Sequence, residues 1–106
     1  MDCFVYLMAS GYRGTLYVGV TSNLVQRVYQ HKNHVFGGFT ATYDLDRLVW
    51  FEGTPSIEAA IRKEKQMKGW RREWKIELVE KENPNWRDLY GDLLGTNASD
   101  PGSRPG

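Results

Sequence analysis

Two short runs rich in β-branched and aromatic residues, Phe4 to Met8 and Thr15 to Val20, are joined by Ala9-Ser10-Gly11-Tyr12-Arg13-Gly14. Two glycines in so short a connection predict a β-hairpin. Strand alternation then assigns the side chains to faces: Tyr6 shares one with Phe4 and Met8, and Tyr17 shares one with Thr15 and Gly19, while Leu16, Val18 and Val20 face the other side. Gly19 beside Tyr17 is expected to leave open space on that face. Two phenols therefore rise from neighbouring strands joined by a tight turn.

The next segments supply the cover. Thr21-Ser22-Asn23 offers N-cap residues, and Leu24, Val25 and Val28 recur at helical spacing to about Asn33. Arg27 and His31, four residues apart, fall beside Leu24 and Val28 at the edge of the inward face. A loop from His34 to Asp46 precedes a third strand, Leu48 to Glu52. Pro55-Ser56 opens a second helix that ends at Gly69, with Ile57, Ala60, Ile61 and Met67 as its inward stripe. Glu64 lies within that stripe, and an ionised carboxylate there must be paired, hydrogen-bonded or bound to a metal. A structural salt bridge, for example to Arg27, is the bland explanation. A further helix from about Arg71 to Glu82, or a strand around Ile76 and Leu78, would bury Trp74 and Leu78. Asn85 to Tyr90 reads as a short terminal helix that packs Trp86 and Leu89.

With 106 residues the chain fits one domain, expected over residues 1–92, and the polar Gly/Pro/Ser-rich stretch over residues 93–106 is expected to be a disordered tail. In a domain of that size large side chains supply much of the core, which accounts for most of Trp50, Trp70, Trp74 and Trp86. Cys3 is the only cysteine. This excludes an intramolecular disulfide or a cysteine-based zinc cluster and fits a reducing cytoplasm. The apolar run at the N-terminus is too short for a signal peptide or a membrane span, so no membrane partner is expected.

A net charge of +1 conceals local asymmetry. From Arg62 to Lys75 seven basic residues stand against Glu64 and Glu73. Lys63, Lys65, Lys68, Arg71 and Arg72 within this block are the expected nucleic-acid-binding side chains, because phosphate neutralisation depends on local charge. A merely solvated helix is the competing explanation.

Two phenols, a guanidinium, an imidazole and a carboxylate are the parts of a phosphodiesterase. In-line hydrolysis needs a base for the water, positive charge on the phosphorane oxygens and a Lewis acid at the leaving oxygen. Arg27 can supply the charge. A tyrosine base must be stabilised as phenolate or relay its proton, and His31 can accept it. Glu64 can hold one divalent cation, Mg²⁺ or Mn²⁺. Zinc held by His31, His34 and Glu64 fails on spacing and donor set.

The ordered set resembles the GIY-YIG nuclease superfamily, in particular its small stand-alone single-domain members. Val5-Tyr6-Leu7 and Tyr17-Val18-Gly19 stand at the two name motifs. Arg27 and His31 match the family's first helix, and Glu58 to Lys68 its acidic helix with Glu64 at the metal position. The resemblance implies an α+β fold, a three-stranded antiparallel sheet flanked by helices, and metal-dependent hydrolysis of DNA of repair or recombination type. It implies that Tyr6 activates water with help from His31, that Tyr17 and Arg27 hold the phosphate, and that Glu64 carries the metal. RNA as substrate, protein partners and oligomeric state stay open. Val20 stands where repair-type members carry lysine, and Asn83 is too far along to be the late asparagine of many members. The alternative is a nucleic-acid-binding module with a vestigial site.

Overall fold

The computed structural model describes residues 2–33 and 44–94. The hairpin forms β1 (Cys3–Ala9) and β2 (Leu16–Thr21), followed by α1 (Leu24–Lys32), β3 (Arg47–Thr54), α2 (Ile57–Lys68), α3 (Arg72–Glu82) and α4 (Tyr90–Leu94). The three strands make one antiparallel sheet in the order β2-β1-β3. This is the expected α+β architecture. β1 lies in the middle because both of its faces are apolar: every residue from Val5 to Ala9 is buried.

The alternation of β1 divides the interior. Val5, Leu7 and Ala9 join Val18, Val49, Trp50, Met67, Val79 and Trp86 in one cluster. Tyr6 and Met8 join Leu24, Val28, Leu45 and Leu48 in the other. Register confirms the face assignment, since Tyr6 pairs with Gly19 and Met8 with Tyr17, so both phenols and the glycine share a face.

α1 and α2 start at sequence-legible caps. Asn23 Oδ1 accepts from Gln26 N at 3.1 Å, and Ser56 Oγ accepts from Ala59 N at 3.1 Å. Leu24 and Val28 are buried on α1, but α2 buries a narrower stripe than its spacing predicts. Ala60 and Met67 are covered, whereas Ile57 and Ile61 remain 41% and 38% exposed. A three-stranded sheet is too narrow to cover the residues flanking the Ala60–Met67 line.

The segment after Arg71 is helical, which removes the strand alternative, and Val79 is its buried anchor. Trp74, expected inside, is 49% exposed. The expected helix from Asn85 to Tyr90 is also corrected: these residues form a turn, with Trp86 in the left-handed region at φ 56°, and the helix begins at Tyr90. Side chains that bond the backbone, both within the turn and across to β3, explain the difference. Asn83 donates to Val49 O and Arg87 O and accepts from Arg87 N, while Asp88 Oδ1 accepts from Leu48 N and Tyr90 N. Trp86 is fully buried as expected, and its indole donates to Glu80 Oε2 at 2.7 Å. Asp88 also pairs with Lys32, joining this turn to the end of α1. α4 ends at Leu94, two residues inside the expected tail. Residues 95–106 and most of the expected loop, including His34, lie outside the described residues.

Candidate active site

The site is built where β1, β2 and α1 meet. The Tyr6 hydroxyl lies 3.0 Å from His31 Nε2, and both residues are buried. Tyr17, partly exposed, completes an aromatic triangle with ring centroids 6.4 Å from Tyr6 and 5.4 Å from His31. Helical spacing puts Arg27 one turn before His31. Its guanidinium comes within hydrogen-bonding reach of the Tyr6 phenol, and Glu64 from α2 is close enough for its charge to act there. The fold therefore brings together all five expected site residues, Tyr6, Tyr17, Arg27, His31 and Glu64.

Gly19 has a different role from the expected open space. The Tyr6 ring fills the position above it: a Cβ built on Gly19 would stand 2.5 Å from Tyr6 Cζ and 2.8 Å from Cε1, and nearer still to the hydroxyl. Ordinary carbon contacts begin near ~3.5 Å. Only glycine lets the ring lie across β2 to reach His31.

Electrostatics assign the protons. Burial, then the neighbouring Tyr17 phenol, raises the Tyr6 pKa well above its ordinary value, with Glu64 adding to the rise and Arg27 opposing it. Burial, then the Arg27 charge, lowers that of His31 to about 4. At neutral pH Tyr6 is thus a phenol and His31 a neutral imidazole, so the consistent arrangement has Tyr6 O–H donating to His31 Nε2. A resting phenolate is thereby disfavoured, and the two shifts together hold the proton on Tyr6.

Glu64 is partly buried, its side chain 20% exposed, and pairs with Lys68 Nζ at 3.2 Å, one turn on along α2. The ion partner is Lys68 where the sequence pointed to Arg27. Among the described residues no group of three His, Cys, Asp or Glu side chains is placed to hold a metal. A lone accessible carboxylate still suits a hard cation that retains water ligands. Val20 pairs with Val5 on the opposite face from Tyr17, so the lysine that some relatives carry there would not stand over the tyrosine face.

The basic block divides by use. Lys65 is exposed, Lys68 pairs with Glu64, Lys63 and Arg71 lie over tryptophan rings, and Arg72 donates to the carbonyls of Arg13 and Gly14 in the hairpin turn. Arg72 thus braces the fold. Asn83 points into the backbone of β3 and the following turn, away from any site role.

A family model described as the GIY-YIG catalytic domain matches residues 2–77. The chain belongs to the GIY-YIG nuclease family. No curated protein and no solved structure matches it significantly. The GIY-YIG match spans the whole sheet, α1, α2 and the start of α3, and so contains every expected catalytic residue. Trp86, Asp88 and α4 lie beyond it. Membership indicates a nuclease domain with DNA as its substrate, and nucleases of this family generally use a divalent metal. No described helix is long and apolar enough to cross a membrane.

Proposed function

We propose that this protein is a divalent-metal-dependent DNA endonuclease of repair or recombination type, hydrolysing a phosphodiester by in-line attack of water. The observation that carries the reading is the Tyr6–His31 hydrogen bond, set within reach of Arg27 and Glu64 in a GIY-YIG chain. The Tyr6–His31 pair takes the proton of the attacking water. Tyr6, protonated at rest, passes its own proton to His31 Nε2 as it gains the new one, so no free phenolate has to accumulate. Arg27 offers a planar pair of donors to the phosphate oxygens as charge develops on them. Tyr17, the more accessible phenol, contacts the same phosphate. A single Mg²⁺ or Mn²⁺, held by Glu64 with water and phosphate oxygens, would supply Lewis-acid stabilisation of the leaving oxygen. Lys68 would then exchange its partner from Glu64 to DNA.

Purified wild-type protein is expected to cut a panel of single-stranded, duplex and branched DNA only with Mg²⁺ or Mn²⁺, and Tyr6→Phe and Glu64→Ala are each expected to abolish cutting. Wild-type rates in both variants would overturn the assignment. A second reading, a binding module with a vestigial site, draws on the Lys68 ammonium already seated on Glu64. Salt-sensitive DNA binding without cleavage under any metal would select it, and Lys65→Glu with Lys68→Glu would locate its face.

A further inference from the structure

At the junction of α2 and α3, Trp70 and Trp74 meet edge to face with ring centroids 6.4 Å apart. Trp70 packs partly against the core, but Trp74 is half exposed. With Leu78, Glu77 and Lys81 they line an open cleft of about 490 Å³. Lys63 Nζ lies 5.6 Å from the Trp70 ring centre, and Arg71 Cζ lies 5.7 Å from that of Trp74. Core packing accounts for Trp50 and Trp86, both buried. It does not account for an indole left in solvent beside a second one and ringed by cations.

We propose that this cleft binds single-stranded DNA, with an unpaired base stacked on Trp74 and the flanking phosphates met by Lys63, Arg71 and Lys81. Every base has a π-face and every nucleotide a phosphate, so the ligand complements both the rings and the charge. Arg71 can leave the Trp74 ring for a phosphate as the base takes its place. Charge decides against an apolar protein segment, which would cover the indoles and leave three cations with Glu77 as the cleft's own counter-charge. Duplex DNA keeps its bases stacked on one another and offers the cleft only phosphates. Lys63, at the Trp70 ring beside the cleft, and Glu64 in the active site are consecutive residues of α2, so one strand lying along that helix can engage both. The inference deepens the endonuclease reading, on which its choice of DNA rests, by assigning a preference for substrates with an unpaired segment beside the cut.

The test uses the full chain at about 0.1 M salt, a fluorescein-labelled oligothymidylate of about 12 nucleotides, and a duplex of the same length. Wild-type protein should bind the oligothymidylate with quenching of tryptophan fluorescence. Trp74→Ala should weaken that binding by about ten-fold while changing duplex binding by less than about two-fold, and Trp74→Phe should retain most of it. Because Trp74 is half exposed, an unchanged thermal melt will show that the variant is folded. Equal weakening for both DNAs, wild-type binding by Trp74→Ala, or no oligothymidylate binding at all would each overturn the proposal, the last in favour of a protein occupant. Cleavage by wild type with unaltered binding by Trp74→Ala removes the cleft and keeps the nuclease; Trp74-dependent binding without cleavage does the reverse.

Discussion

Gly19→Ala should damage both stability and chemistry, although in an ordinary strand the same change is favourable. Replacing glycine where the backbone conformation permits alanine stabilises a protein by about 0.4–1 kcal/mol, through the unfolded chain. Gly19 has no positive φ to forbid alanine, so the sign of the effect reports the Tyr6 contact alone. The new methyl would stand 2.5 Å from Tyr6 Cζ, which requires the ring to move by about 1 Å to reach ordinary contact. Tyr6 is fully buried between Met8, Leu24, Val28 and Leu48, so the movement costs about 1–3 kcal/mol of overpacking. It also gives up the bond to His31, about 1 kcal/mol more. Net of the gain through the unfolded chain, the expected loss in urea unfolding is about 1–3.5 kcal/mol. A misplacement of about 1 Å at a reacting group lowers Mg²⁺-dependent cleavage on the order of 100-fold under conditions where the variant is folded. In a Tyr6→Leu background, with the ring gone, the same substitution should cost much less, and the coupling isolates the contact. A Gly19→Ala protein as stable and as active as wild type would refute the reasoning.

His31 supplies a pH prediction. Its folded-state pKa of about 4 lies below the ordinary 6.5, so the unfolded chain binds the proton more readily, and stability is complete above pH 6.5 and falls as pH drops towards 4. The loss is on the order of 3 kcal/mol, and urea unfolding at stepped pH should show it in wild type and much less of it in His31→Gln. Cleavage should keep its acid limb near pH 4 and not near 6.5, since the relay needs the neutral imidazole. Asn83→Ala removes the amide bonds to Val49 O and Arg87 O at 3.1 and 2.9 Å and the acceptor for Arg87 N. It should lower stability by about 2–3 kcal/mol in the same unfolding assay, with cleavage per folded molecule unchanged, as befits a residue outside the active site.

What could be read from sequence was what periodicity controls. Alternation along Phe4 to Met8 and Leu16 to Val20 fixed which residues share a face, and helical spacing placed Arg27 and His31 on the side that meets it. The contents of the space between elements were not readable. Gly19 looked like a vacancy because strand patterning says nothing of how far a ring on the next strand leans across. Arg27 was one example of a partner for Glu64, and Lys68 was not named, although an i,i+4 lysine on the same helix is at short range. Trp74 was assigned to the core on size alone. The turn at Asn83 to Asp88 escaped because its cause is side-chain bonding to backbone far away in sequence, at Leu48 and Val49.

The central strand also explains why a nuclease site of this kind can sit in so small a domain. A surface phenol beside a surface histidine would find both groups solvated, with the imidazole free to protonate near pH 6.5. Placing Tyr6 on β1, under α1 and against β2, removes water from both members of the pair. The same burial that keeps Tyr6 protonated keeps His31 unprotonated, so the hydrogen bond runs in one direction over a wide range of pH. Arg27 acts on the two ends differently: its charge opposes a proton on His31, in line with burial, and favours loss of one from Tyr6, against it. In the relay proposed above, a phosphodiester bound at Arg27 would offset that charge and so make His31 a better proton acceptor. Replacing Arg27 by glutamine should accordingly raise the His31 pKa towards its ordinary value while leaving the hydrogen bond in place, a shift that NMR titration of the imidazole can measure. An unmoved His31 pKa in that variant would mean that burial alone sets the direction of the relay.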